Sequence, residues 1–132
     1  MQKLEHIHLD VVSLKNTEAF LQAALPDYGR RGNGYTEGFG HWVHIGAQDN
    51  YIALTETKTP PDFKALRHVG FEVDDLEALM GRLRRAGYEP SDDSAVDGHA
   101  YRRRVYYKDL NGIHWEFVQY LSDNLAERNQ YG

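Results

Sequence analysis

The sequence predicts an α+β fold in which two tandem β-α-β-β-β modules form a cup-shaped mixed sheet with helices on the outer face. The first observation behind this prediction is an internal repeat, because residues 4–11 (LEHIHLDV) match residues 66–73 (LRHVGFEV) in their Leu, His and Val positions. The second is that apolar and polar residues alternate in both segments with the period of a strand that buries one face. We therefore expect a single domain over residues 1–132, with repeats at about 4–56 and 66–121 and a proline-containing linker at 57–65.

Net charge and the distribution of apolar residues argue against nucleic acid and membranes as partners. The chain of 132 residues is 41% hydrophobic, carries a formal net charge of -5 and has no cysteine. An acidic balance disfavours nucleic acid as a partner, because phosphate binding usually needs a basic surface. The sequence has no apolar signal core near its start and no apolar run long enough to cross a membrane. We therefore expect a cytoplasmic protein without a membrane or nucleic-acid partner.

The first module starts with a strand that ends near Val12. Ser13 is a suitable cap for a helix over about 14–25. The glycines around Asn33 predict a turn at 32–34. Two further strands are expected at 41–45 and 51–55.

The second module repeats this plan. After a strand over 67–73, Asp74 and Glu77 have the spacing of a capping box, and Gly87 is placed to end the helix that follows. Residues 90–98 are acidic and predict a loop. Two strands then follow at 101–108 and 114–120, separated by a tight turn at 109–112. Both tryptophans, Trp42 and Trp115, are expected in the core.

Histidine and carboxylate side chains collect on the polar face of the predicted sheet, at His6, His8, His68, His114 and Glu116. Two imidazoles and a carboxylate suit divalent Fe, Mn, Ni, Co or Zn. Such a metal, with coordination positions left open, can polarise a substrate oxygen. Polar residues on a one-sided sheet more often only face water. From the residues alone, a metal site and a solvated surface both remain open.

The motifs around these residues resemble the vicinal oxygen chelate superfamily. This superfamily includes glyoxalase I, fosfomycin-resistance enzymes, extradiol dioxygenases and bleomycin-binding proteins. The resemblance covers about residues 4–121 and rests on His6-x-x-Leu9-x-Val11, on His68-Val69-Gly70-Phe71-x-Val73-x-Asp75-Leu76 and on Asp109-Leu110-Asn111-Gly112-x-x-x-Glu116. The last motif is similar to the D-P-x-G turn and liganding Glu of the superfamily, with Leu110 in place of the usual Pro.

The resemblance implies that His6, His68 and Glu116 are the metal ligands. Glyoxalase I normally has a fourth ligand, a Glu or Gln, on the last strand of its first half, where this chain has Ala53. Extradiol dioxygenases usually place a base histidine near the same position. The first departure argues against glyoxalase I activity and leaves the three-ligand subgroups. For a dioxygenase, His8 or His44 would have to substitute as the base.

Other polar-face residues have expected roles in binding and proton transfer. His8 is either a general base or a hydrogen-bonding partner that orients another ligand. Tyr106 matches a pocket tyrosine that donates a hydrogen bond to substrate, and Tyr51 is expected to line the same pocket. Arg104 and Arg102 are candidates to hold a carboxylate or phosphonate group.

Two classes of function follow. The first is a divalent-metal-dependent enzyme acting on a small-molecule substrate through vicinal or anionic oxygens, with lyase, isomerase, transferase and dioxygenase chemistry all open. The second is a metal-free, small-molecule or antibiotic-binding protein of the bleomycin-resistance type. A scaffolding role ranks last. Members of the superfamily are commonly homodimers, and the site can be built within one chain or across two.

Overall fold

A computed structural model describes residues 1–91 and 97–131, with only the backbone of Asp97. The chain divides into two compact units, Met1–Asp62 and Phe63–Gly132. Each unit contains one helix and four strands in the order β-α-β-β-β, and the second unit ends with an additional short helix. The predicted α+β class and the two β-α-β-β-β modules are confirmed. That the whole chain folds as one domain stays a prediction.

The first unit is a four-stranded mixed sheet in the order β1-β4-β3-β2. Strand β1 pairs with β4 in parallel, and the other neighbours are antiparallel. Its elements are β1 His6–Val11, α1 Leu14–Ala24, β2 Gly29–Thr36, β3 Gly40–Gly46 and β4 Tyr51–Glu56.

One face of this sheet is apolar and is covered by α1. The strands turn every second side chain toward the helix, as their alternating sequence predicts. The buried residues that form this layer are Leu9, Val11, Phe20, Leu21, Val43, Ile45, Ile52 and Leu54. The opposite face, which we call the open face of the first unit, therefore receives the polar side chains.

Two side chains cap the first turn of α1. Ser13 Oγ accepts a hydrogen bond from the Asn16 N–H at 3.1 Å, which confirms the predicted cap. Glu56 Oε2 accepts from the Leu14 N–H at 2.9 Å. Glu56 is thereby turned toward the helix and away from the open face.

The predicted turn at 32–34 is wrong. These residues lie inside β2 and pair with β3, and the hairpin turn instead follows Thr36. The glycines make room for a large neighbour, because a Cβ at Gly34 would lie 2.9 Å from the Trp42 ring. Trp42 is half-buried on the open face, where its Nε1–H donates to Thr36 Oγ1 at 3.0 Å. The prediction that Trp42 is a core residue is therefore wrong too.

The second unit is also a four-stranded mixed sheet, in the order β5-β8-β7-β6, with β5 parallel to β8. Helix α2 covers its apolar face. Fully buried side chains of this layer include Leu76, Leu79, Leu83, Val105, Trp115 and Phe117. The elements are β5 Val69–Glu72, α2 Leu76–Arg85, β6 Asp97–His99, β7 Arg102–Lys108, β8 His114–Tyr120 and α3 Leu125–Arg128.

Helix α2 starts one residue later than the predicted capping box. Its cap is Asp75, which accepts from the Ala78 N–H at 2.9 Å. The Leu76 N–H donates to Gln119 Oε1 at 2.9 Å. Gln119 thus repeats in the second unit what Glu56 does in the first, and Gly87, with φ of 95°, ends the helix as predicted.

The turn at 109–112 is built around one carboxylate. Asp109 accepts hydrogen bonds from the N–H groups of Asn111 and Ile113 and from the Trp115 indole, at 2.9, 3.0 and 2.9 Å. Gly112 has φ of 85°, a left-handed conformation that favours glycine. Because these bonds tie the turn to a buried tryptophan, the turn fixes where β8 begins.

Two short elements were not predicted, β6 and α3, and the predicted loop at 90–98 lies partly outside the described residues. No helix in the described part of the chain combines the length and the apolar character needed to cross a membrane.

Asp109→Ala should destabilise the second unit by about 2–3 kcal/mol, because it leaves the buried Trp115 indole N–H and two turn amides without their acceptor. Chemical denaturation followed by tryptophan fluorescence measures this loss. Asp109→Asn keeps one acceptor oxygen and should cost less. Equal stability of Asp109→Ala and the wild type would show that the turn does not depend on this carboxylate.

Candidate metal centre

The open face of the second unit, opposite α2, brings three predicted site residues to one place: His68, Glu116 and Tyr106. Strand register sets Gly70, Glu116 and Tyr106 side by side on β5, β8 and β7. Their neighbours in sequence point to the helix, since Trp115, Phe117, Val105 and Tyr107 are buried. The alternation of apolar and polar residues in the sequence predicts this division of side chains between the two faces.

His68 and Glu116 form the closest pair of candidate metal ligands. His68 Nε2 lies 3.0 Å from Glu116 Oε2, with the glutamate side chain only 12% exposed and the histidine side chain 44% exposed. Gly70 lies beneath this pair, and a Cβ there would be 3.7 Å from the carboxylate oxygen. Two ligands at right angles on one metal, each about 2.1 Å from it, are about 3 Å apart. The observed separation therefore fits two adjacent ligands of one ion.

Tyr106 and Arg104 lie next to this pair. The Tyr106 ring meets the His68 ring edge-to-face, with 5.5 Å between the centroids. The Arg104 guanidinium lies 5.9 Å from the Tyr106 ring centroid and is exposed. Arg102 lies on the same face but is directed to the C-terminal residues: its Nη1 donates to the Arg128 carbonyl at 3.0 Å.

In the first unit, His6 lies on the open face and contacts two neighbouring side chains, those of Glu5 and Tyr51. Its Nδ1 lies 2.5 Å from Glu5 Oε1. Its ring stacks on Tyr51, with centroids 4.7 Å apart and planes 8° from parallel. A carboxylate on Nδ1 fixes the tautomer that leaves Nε2 as a lone-pair donor, which is the usual support of a metal-bound histidine.

Tyr51 belongs to a row of rings that crosses the sheet. The His44 ring lies 4.7 Å from Tyr51 and 4.8 Å from Trp42, and the Arg31 guanidinium lies 4.1 Å over Tyr51. Burial lowers the pKa of His44, and the positive charge of Arg31 lowers it further. This row is an aromatic surface with the Arg31 guanidinium over one of its rings.

His8 is the next residue of β1 after His6 whose side chain lies on the open face. Its Nε2 lies 2.6 Å from Thr55 Oγ1. Strand register places Ala53 between His8 and His44, so two imidazoles flank the position where glyoxalase I has a fourth ligand. Glu56, the nearest carboxylate in sequence, caps α1 instead.

Sequence reasoning missed the contact between Glu5 and His6 and considered His44 only as a substitute base. Glu5 precedes β1, so the alternation that assigned faces to the strand did not reach it. An acidic residue directly before a candidate histidine ligand is the signal that would have found it. His44 and Trp42 are two residues apart on β3, and this spacing places both side chains on the same face of the sheet.

The donor set fits a divalent metal chemically. Among the described residues, no group of three or more His, Asp or Glu side chains is placed to hold a metal ion. His68 and Glu116 supply two suitable ligands, so an ion bound there needs at least one further ligand.

Comparisons with known proteins were made by sequence and by structure. No family model and no curated protein sequence matches the chain. Solved structures do match it over nearly its whole length.

The fosfomycin resistance protein FosX from Listeria monocytogenes, complexed with Mn(II) and sulfate ion, has 19% identity and a TM-score of 0.70, and the match covers 98% of this chain and 99% of that one. A glyoxalase family protein from Bacillus cereus has 20% identity and a TM-score of 0.71, with 92% and 96% covered. TnmS3, an antibiotic binding protein from Streptomyces sp. CB03234, has 16% identity and a TM-score of 0.66, with 91% and 97% covered.

These identities are too low to transfer an activity, but the structural agreement extends over both β-α-β-β-β units. The neighbours include both the fosfomycin-resistance and the glyoxalase groups that the sequence motifs resemble. This chain therefore has the fold of the vicinal oxygen chelate superfamily.

Proposed function

We propose that the protein is a divalent-metal-dependent enzyme that acts on a small molecule through two adjacent oxygens or one anionic oxygen. In this proposal His68 and Glu116 bind the metal, and His6 is the third ligand, from the same chain or from a second copy in a homodimer. The candidate ions are divalent Fe, Mn, Ni, Co and Zn. The observation that carries the proposal is the 3.0 Å approach of His68 Nε2 to Glu116 Oε2 on the open face.

The environment of Glu116 supports this role. The Glu116 side chain is only 12% exposed and lies 3.0 Å from the His68 imidazole. A divalent cation bound here would interact with the carboxylate and with a ring nitrogen together, which are the donor groups that such ions take from proteins. When bound, such an ion would supply a Lewis acid for the substrate oxygen.

The remaining residues of the open faces would bind and orient the substrate. Tyr106, beside Glu116, would donate a hydrogen bond through its hydroxyl group. Arg104 would pair with an anionic group of the substrate. His8 would exchange a proton through the ring nitrogen that does not contact Thr55, or would hold its neighbours in position through that contact. Tyr51 and the rings stacked on it would form an apolar wall.

One structural neighbour supports the choice of substrate class. A glutamate-to-glutamine mutant of FosX from Listeria monocytogenes has been crystallised with Mn(II) and 1S,2S-dihydroxypropylphosphonic acid, a molecule with adjacent hydroxyls and a phosphonate group. A molecule of this kind would bind a metal held by His68 and Glu116 through its adjacent oxygens, and its phosphonate group would pair with Arg104. The choice of reaction among lyase, isomerase, transferase and dioxygenase stays open.

The second candidate function is metal-free binding of a planar small molecule, such as an antibiotic. It is favoured by the aromatic row at Tyr51, His44 and Trp42 and by the likeness to the antibiotic binding protein TnmS3. In that case the His68–Glu116 pair would be an ordinary ion pair. The two functions differ in whether the purified protein binds a transition metal.

Glu116→Ala should weaken Mn(II) binding by more than about 100-fold, because loss of a direct ligand exceeds the 10–100-fold effect of losing an orienting group. Isothermal titration of the metal-free protein with Mn(II) measures the change. Glu77→Ala is the matched control, because Glu77 lies on α2 and pairs with Arg103. Unchanged affinity in Glu116→Ala would remove Glu116 from the site, and no binding by the wild type would favour the metal-free function.

Glu5→Gln should weaken Mn(II) binding by about 10-fold, because the amide no longer fixes the His6 tautomer as a carboxylate does. Nitrogen chemical shifts of His6 in the metal-free protein should also show a mixture of tautomers. Glu37→Gln, in the exposed turn after β2, is the control. An unaltered tautomer and an unaltered affinity would show that the Glu5–His6 contact has no role in metal binding.

A further inference from the structure

The C-terminal residues 122–131, which we call the strap, fold back onto the open face of the second unit. They contain α3, which starts at the Asn124 cap, where Asn124 Oδ1 accepts from the Ala126 N–H at 2.9 Å. The Arg128 N–H donates to the Asn124 carbonyl at 2.9 Å and closes the single turn. The strap is therefore an ordered segment with its own hydrogen bonds.

Polar contacts attach the strap to open-face residues of three strands. Arg128 Nη2 donates to Glu72 Oε1 on β5 at 2.7 Å, and the Arg128 guanidinium lies 4.2 Å over the Tyr120 ring on β8. Arg102 on β7 donates to the Arg128 carbonyl and lies 5.0 Å from the Tyr131 ring centroid. One residue, Arg128, thus touches all three strands.

A further contact ties the strap to the start of β7. Glu127 accepts a hydrogen bond from Ser122 Oγ at 2.7 Å and another from the Tyr101 hydroxyl. The second bond raises the pKa of Tyr101. These bonds hold α3 at the end of the face where β7 begins and β8 ends.

No apolar packing reinforces these contacts. Helix α3 has no buried residue, and the side chains of Leu125 and Tyr131 are 69% and 88% exposed. Half-exposed ion pairs contribute little to stability, about 0–1 kcal/mol each. A segment held by an ion pair, hydrogen bonds and cation–π contacts, with no buried apolar side chain in its helix, opens more readily than the core beneath it.

The strap lies next to the candidate metal ligands. Glu72, its attachment point on β5, is two residues beyond Gly70, and Gly70 is paired with Glu116. Two residues along a strand span about 7 Å. Tyr120 and Arg102 are further from Glu116 along β8 and β7 on the same face. The strap therefore covers the end of the face beyond the His68–Glu116 pair.

We propose that the C-terminal strap is a movable cover on the ligand face of the second unit, and that the Arg128–Glu72 ion pair is its latch. Closed, the strap limits the ligand to the part of the face around His68, Glu116 and Tyr106; open, it exposes Tyr120 and Arg102, which are only partly accessible beneath it. Naming this the ligand face rests on the proposed function. The opening of the strap itself does not depend on a metal or a ligand.

Hydrogen–deuterium exchange of the metal-free full chain tests the latch. Glu72→Gln should increase the exchange rate of the strap amides by about two- to five-fold, since it removes one half-exposed ion pair. Raising the ionic strength of the wild type to about 1 M should act in the same direction. Amides of β8 should exchange at the wild-type rate in both experiments.

Glu77→Gln is the matched control, because Glu77 pairs with Arg103 at 2.6 Å on the helix side of the sheet, away from the strap. It should leave exchange in the strap unchanged. The proposal is overturned if Glu72→Gln has no effect, if Glu77→Gln has the same effect, or if the wild-type strap exchanges as fast as an unfolded peptide. Because the readout involves no metal, a failure of the proposed function would leave these results unaffected.

Discussion

Each sheet of this protein packs its apolar face against one helix, α1 or α2, and this constraint determines which face receives the candidate ligands. The alternation of β1, β4, β7 and β8 sends apolar side chains to the helix and leaves the other face to polar ones. The helices are fixed over the apolar faces by equivalent bonds, from the Leu14 N–H to Glu56 and from the Leu76 N–H to Gln119. The candidate ligands collect on the open faces because the other faces are occupied.

The same constraint places the carboxylate of β4 on the helix side of the first sheet. The last strand of the first unit ends in a carboxylate, but Glu56 caps α1 and faces the helix. The open-face residue three positions earlier on the same strand is Ala53, which is paired with His8 on one side and His44 on the other. The first unit offers imidazoles and aromatic rings where it could have offered an acid.

Sequence alone was sufficient for the parts of the structure that depend on periodicity. The two modules, the faces of β1, β4, β7 and β8, the Ser13 cap and the Gly112 turn all follow from local patterns. The Gly32–Gly34 segment misled the prediction, because glycine at a turn and glycine beneath a tryptophan look the same in sequence. The strap could not be predicted, since its attachment depends on side-chain directions outside the regular strands. Glu72 and Arg128, 56 residues apart, carry no sequence pattern that links them.

The proposed function requires His68 and Glu116 to bind one divalent ion, with His6 as the third ligand. Anomalous diffraction from crystals grown with Mn(II) is the sharpest test of this proposal. We expect one peak per site at about 2.2 Å from His68 Nε2, from Glu116 Oε2 and from a His6 imidazole of the same or a second chain. The proposal would be contradicted if such crystals showed no anomalous peak near His68 and Glu116, or a peak that only one of these two side chains contacts.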